Sequence, residues 1–79
     1  MTKEAITEKL QNIFRDVFDD DSIILFDAMT SDDVEDWDSL SHINLITDIE
    51  TNFGITFTTE EIVKAKNVGE FIQIIENKL

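Results

Sequence analysis

Ile6, Leu10, Ile13, Phe14, Val17 and Phe18 fall three and four residues apart, the spacing that gathers side chains on one stripe of an α-helix. The same period returns in His42, Leu45, Ile46, Ile49 and Phe53, and again in Val68, Phe71, Ile72, Ile75 and Leu79. Only Ile55-Thr56-Phe57 alternates like a strand, and nothing else in the chain offers it a partner, so it reads as loop. An all-α fold of packed amphipathic helices follows.

The helix limits come from caps and breakers. The first helix is expected over about Thr2 to Phe18, with Thr2 able to cap it and the like charges of Asp19-Asp20-Asp21 ending it. The second is expected from Ser39 to about Phe53, closed by Gly54, which tolerates the positive φ common just past a helix. Thr58-Thr59-Glu60-Glu61 has the form of a capping box, flanked by Phe57 and Ile62 at the positions of a hydrophobic staple, and predicts a short helix over about 59–64. Asn67 caps a last helix over about 68–78.

Seventy-nine residues make one domain, 1–79, with a single small core and no second lobe to enclose an enzymatic cleft. No cysteine is present, which excludes disulfides, thiolate metal sites and any thioester on a side chain of this chain. Thiol chemistry would have to arrive on a prosthetic group. No apolar run approaches the ~20 residues that span a bilayer, and Met1-Thr2-Lys3-Glu4 leads into an amphipathic pattern rather than a signal-peptide core. The expectation is a soluble cytoplasmic protein without a membrane partner.

The net charge of −12 is unevenly spread, since every charged residue between Arg15 and Lys64 is acidic. Such a surface repels nucleic acid and steers basic proteins toward it. Acidity alone also keeps a small protein soluble; the complete lack of Lys and Arg across the central span is what favours a basic partner. Asp19-Asp20-Asp21 and Asp32-Asp33-Val34-Glu35-Asp36 invite a calcium reading, but they lack the alternate carboxylates, central Gly and closing Glu of an EF-hand loop.

The connection from Asp19 to Trp37 holds no Gly or Pro, and Ile23, Ile24, Leu25, Phe26, Met29 and Val34 make it too apolar for a free linker. It is expected to lie across the bundle with alternate apolar residues buried. At its end come Asp38, a good N-cap, and Ser39, the first residue of the second helix. A helix start leaves amides without intrahelical partners, and these with the macrodipole hold an anion by roughly 0.3–1 kcal/mol. Ser39 is therefore a place to hang a phosphate, although Asp-Ser at a helix start is often a cap and nothing more. Leu40 and Ile43 fall near the polar side, beside Ser39, and read as a docking spot. His42, one turn on, projects toward the core and lacks the orienting acid and oxyanion pocket of a Ser–His pair, so it reads as structural. Trp37 is open between contacting whatever Ser39 carries and anchoring the loop.

Taken together, Asp38-Ser39-Leu40 opening a helix after a long acidic loop, Phe53-Gly54-Ile55 at its end and Thr58-Thr59-Glu60-Glu61 leading the short helix resemble the acyl carrier proteins along essentially the whole chain. That resemblance implies a four-helix bundle with a long loop between helices one and two and a short third helix. It implies 4′-phosphopantetheine on Ser39, added by a phosphopantetheinyl transferase from coenzyme A, whose thiol carries acyl or aminoacyl groups as thioesters. It also implies a monomer that is no enzyme itself, with Asp38 orienting Ser39 and with Leu40, Ile43, Thr47, Asp48 and Glu50 facing acyl-loading and acyl-consuming enzymes through their basic docking patches. An acyl chain is expected to slip between helices two and three near Ile46 and Ile62. Asp36-Trp37 stands where carriers of fatty acid biosynthesis have a small pair such as Gly-Ala, and Ser41, Asn44 and Thr51 stand where acids are usual. These departures point to a dedicated pathway, for example polyketide biosynthesis, modified-saccharide or aminoacyl metabolism. The competing reading is an unmodified acidic adaptor that binds a basic protein through helix two.

Self-repulsion across the acid-only span should leave the bundle marginal at low ionic strength. The melting temperature is expected to rise as sodium chloride is added; a flat response would contradict it.

Overall fold

Each helix in the computed structural model, which describes residues 1–79, starts at a residue whose side-chain oxygen accepts an amide of the first turn. Thr2 caps α1 (Lys3–Phe18) by accepting from Ala5 N at 3.1 Å. Asp38 caps α2 (Ser39–Phe53). Thr58 caps α3 (Thr59–Lys64), accepting from Glu61 N at 3.1 Å while the Glu61 carboxylate accepts from Thr58 N at 2.9 Å. Asn67 caps α4 (Val68–Lys78), accepting from Glu70 N at 2.8 Å. There is no strand, and Ile55-Thr56-Phe57 is loop.

Burial follows the predicted stripes closely. α1 packs on α2 and α4, bringing Ile6, Leu10, Ile13, Phe14 and Phe18 against Leu45, Ile46, Ile49 and Phe53 from α2 and Val68, Phe71, Ile72 and Ile75 from α4. Leu79 departs from the last stripe: it lies past the end of α4 and is exposed. The core is wholly apolar, so no buried charge has to be compensated. α3 contributes no fully buried residue, and Ile62 only leans on the core.

Along the loop between α1 and α2, Ile23, Leu25, Met29, Val34 and Trp37 are buried while Ile24 and Phe26 face solvent. The alternation arises because the segment is extended and tied at several points. Gln11 Oε1 accepts from Leu25 N at 3.0 Å, and Arg15 Nε donates to Ile23 O at 2.9 Å. Farther on, Thr30 and Asn67 form one isolated antiparallel bridge, with Val68 N donating to Met29 O, and Gly69 N adds a bond to Asp27 O. Gly69 lets the two segments approach closely, since a Cβ there would stand 3.1 Å from Asp27 O and the loop would have to give by a few tenths of an ångström.

The two long helices end differently. Gly54 takes φ 66° after α2, as a glycine does without steric cost. Asp19 takes φ 50° after α1, a conformation that costs most residues with a Cβ roughly 1–2 kcal/mol. Asp19→Gly should therefore stabilise the fold by about 0.5–1 kcal/mol, once the added freedom of the unfolded glycine is subtracted. Chemical denaturation checks this; a lower midpoint would show that the Asp19 side chain compensates for its strain.

Candidate functional site

At the start of α2 the chain is extended at Asp38 (φ −127°, ψ −170°), which turns the carboxylate back over the first turn. Asp38 Oδ1 accepts from Leu40 N and Ser41 N, each at 3.0 Å. Ser41 Oγ completes a capping box by accepting from Asp38 N at 2.8 Å and donating to Asp36 O at 2.8 Å. Ser41, at a position where an acid is usual, thus helps to build the site. The Asp-x-x-Ser spacing is the signal that would have found it.

This geometry corrects one expectation. The amides of Leu40 and Ser41 are not bare, because the Asp38 carboxylate already occupies them, and a phosphate on Ser39 would meet that charge rather than free donors. Asp38 therefore positions the site instead of leaving it an anion hole. Its carboxyl is held below the ordinary aspartate range, chiefly by the Ser41 amide, with the Ser41 hydroxyl and Leu40 amide adding to it against some desolvation.

With Asp38 facing the amides, Ser39 at the first helical position is exposed, and its hydroxyl has no partner within the protein. It stands on the rim of an open groove of about 670 Å³ whose walls include Ile43, Ile62, Val63, Lys66 and Asp32. A free primary hydroxyl on this rim fits a group attached through a phosphodiester, and Lys66 puts one cation on the same wall.

The neighbours predicted for partner contact separate into two sets. Leu40 is 73% exposed and Ile43 51%, and Thr47 lies exposed on the same side with its hydroxyl donating to Ile43 O at 3.0 Å. Asp48 is half-buried. Glu50, half-buried, takes the Phe57 amide at 2.7 Å on one carboxylate oxygen and so ties the end of α2 to the turn before α3. Val63, 65% exposed on α3, joins the apolar rim. No spacing rule links it to Ser39, so it could not be read from the sequence. Asp32, Asp33, Glu35 and Asp36 are all exposed on the loop leading to the site.

Trp37 and His42 find their roles together. Trp37 is 6% exposed and meets Phe14 edge-on at 5.3 Å, so it anchors the loop in the core. Its indole N–H donates to His42 Nδ1 at 3.1 Å, and His42 Nε2 lies 3.0 Å from Ile62 O. An indole nitrogen only donates, so Nδ1 carries the lone pair and Nε2 the proton, which it gives to the carbonyl on α3. His42 is a structural bridge, as its position on the core side predicts.

A small helical bundle that sets an unbonded serine hydroxyl outward at the first position of a helix, beside exposed apolar side chains and an acidic loop, has the form of a protein that presents an attached group at its surface. The phosphopantetheine attachment site family matches residues 8–75. The chain is 37% identical to the acyl carrier protein of Petrotoga mobilis over 81 residues, covering 100% of this chain and 93% of that one. It is 34% identical to that of Coprothermobacter proteolyticus, covering 100% and 96%. The solution structure of the holo acyl carrier protein from Geobacter metallireducens superposes with a TM-score of 0.86 at 44% identity, covering 91% of this chain and 83% of that one. The chain belongs to the acyl carrier protein family. It is a carrier with a covalently attached phosphopantetheine, works by interacting with partner enzymes, and is not a catalyst. None of its helices is long and apolar enough to cross a membrane.

Because the folded pKa of Asp38 is depressed, its carboxylate favours the native state at any pH above the ordinary aspartate range, and that contribution fades as pH falls through the depressed value. Protonation also relieves the net charge, so the wild-type trend alone mixes two effects. Asp38→Asn keeps a capping oxygen without the titration. The variant should lose ground to the wild type near neutrality and draw level in strong acid; a gap independent of pH, measured by thermal melting, would contradict this.

Proposed function

We propose that Ser39 is the attachment point, and that this carrier takes acyl or aminoacyl groups between the enzymes of a dedicated biosynthetic pathway. The observation that carries the reading is the unbonded Ser39 hydroxyl, set outward at the first position of α2 because Asp38 turns inward to the amides of Leu40 and Ser41. The bound arm supplies the thiol that the polypeptide lacks, and cargo travels on it as a thioester. Asp38 and Ser41 hold Ser39 at a fixed height on the helix, so that a phosphopantetheinyl transferase meets the hydroxyl in one orientation.

Leu40, Ile43, Thr47 and Val63 form the face that partner enzymes grip, and the acids of the preceding loop steer basic docking patches to it. Long-range attraction raises encounter rates, while the apolar centre supplies contact area. Asp48 stands at the edge of this face. The whole of 1–79 acts as one domain and as a monomer in the cytoplasm, where coenzyme A is at hand. The polar Ser41, Asn44 and Thr51 on α2 support partners other than the general enzymes of fatty acid biosynthesis, and a dedicated route such as polyketide, modified-saccharide or aminoacyl metabolism suits them.

Incubation with coenzyme A and a broad-specificity transferase is expected to add one phosphopantetheine by intact mass, and Ser39→Ala to add none. Addition to the Ser39→Ala protein would move the site elsewhere. A wild-type chain that stays unmodified would favour the adaptor reading.

A further inference from the structure

The groove beside Ser39 lies along the seam between α2 and α3, which places that seam nearest to an alkyl chain tethered there, and the seam is bolted. His42, on α2, donates from Nε2 to Ile62 O on α3 at 3.0 Å. The bond is directional because Trp37 fixes the tautomer, donating to Nδ1 at 3.1 Å. Ile62 O lies in the last turn of a six-residue helix, where carbonyls lack intrahelical partners. His42 satisfies one of them.

The bolt matters because little else holds α3 in place. The helix buries no residue completely, and its other side-chain tie to a neighbouring helix is the pairing of Glu61 with Lys78 at 2.9 Å. Behind the seam the space is occupied by rings. His42 lies nearly parallel to Trp37, at 15° and 6.2 Å, and is 5.5 Å from Phe71, which in turn is 6.4 Å from Phe57. Admitting a chain would break both hydrogen bonds of His42, leave an imidazole and a carbonyl unpaired, and displace packed aromatics.

We propose that the Trp37–His42–Ile62 hydrogen-bond chain keeps cargo out of the bundle, so that this carrier handles short or polar acyl groups that stay in contact with water. This reverses the expectation that a chain slips in near Ile46 and Ile62, and it rests on the attachment of the arm to Ser39. Trp37 and His42 are positioning residues here: they act through α3.

The test loads the holo protein with acetyl or octanoyl through a stable amide in place of the thioester. Octanoyl is the stringent probe, since each added methylene increases the gain from leaving water. In the wild type the amide signals of the buried Ile46, Ile49 and Phe71 should coincide for the two loads, with equal melting temperatures. In Trp37→Phe, which keeps an aromatic ring but no N–H, and in His42→Ala, octanoyl should shift those signals and raise the melting temperature by a few degrees over acetyl. Octanoyl-dependent shifts in the wild type would overturn the inference, and so would variants that behave like it. Should His42→Ala fail to fold, Trp37→Phe and the wild-type comparison still decide. A second readout needs no arm: the Trp37 indole proton should exchange slowly in the apo wild type and quickly in His42→Leu, which has no acceptor; rapid exchange in the wild type would refute the bolt. Failure of the underlying reading looks different, as no phosphopantetheine would appear on Ser39 by mass.

Discussion

Trp37 is the only tryptophan, and it sits where the long connection, α1, α2 and α4 meet. Its ring packs on Phe14, Phe18 and Phe71, and its N–H reaches His42. That contact fixes where the loop ends and hence where Asp38 begins α2. Every feature of the site inherits the placement: Asp38 turns onto its amides, Ser39 is left outward, and the groove opens between α2 and α3. A smaller residue at this position would give the loop less to hold and the first turn of α2 less to start from.

Acidity and stability are reconciled by where the acids are placed. Asp20, Asp38, Glu50, Glu61 and Glu70 each accept a hydrogen bond, and the first four take backbone amides at turns or helix starts. Amides near a helix start favour negative charge, so these groups stabilise locally even as they repel one another at a distance. The ion pairs are a weaker support. Lys3 with Asp27 and Lys64 with Glu60 are well exposed, and such pairs contribute little. Lys78 with Glu61 is more enclosed and clamps α3 to the end of α4.

The molecule divides into a rigid interior and a presented face. The core is apolar throughout and leaves no buried side-chain polar atom unpaired, which suits a protein that must look the same to successive enzymes. Presentation falls to a few residues on one side of α2 and α3, where a hydroxyl, exposed aliphatic side chains and a run of carboxylates lie together. Recognition can therefore change by surface substitution without repacking the interior.

The helices were readable in the chain because their signals are local. The stripe from Ile6 to Phe18, Gly54 after α2 and the Thr58 capping box are each set within one stretch of chain, and all three stand as read; the exceptions are Leu79, which leaves the last stripe, and Thr2, which is the cap of α1 rather than its first residue. Asp38 and Ser39 were readable for the same reason. Contacts between residues distant in sequence were not: the bond from His42 to Ile62 O, the presence of Val63 beside the site and the tie from Glu50 to the Phe57 amide all depend on how α3 is laid against α2. Periodicity sets which face of a helix turns inward, since that is a property of one helix and water. Which hydroxyls, carboxylates and ring nitrogens meet across a seam is settled only when the packed core brings two helices to a fixed separation.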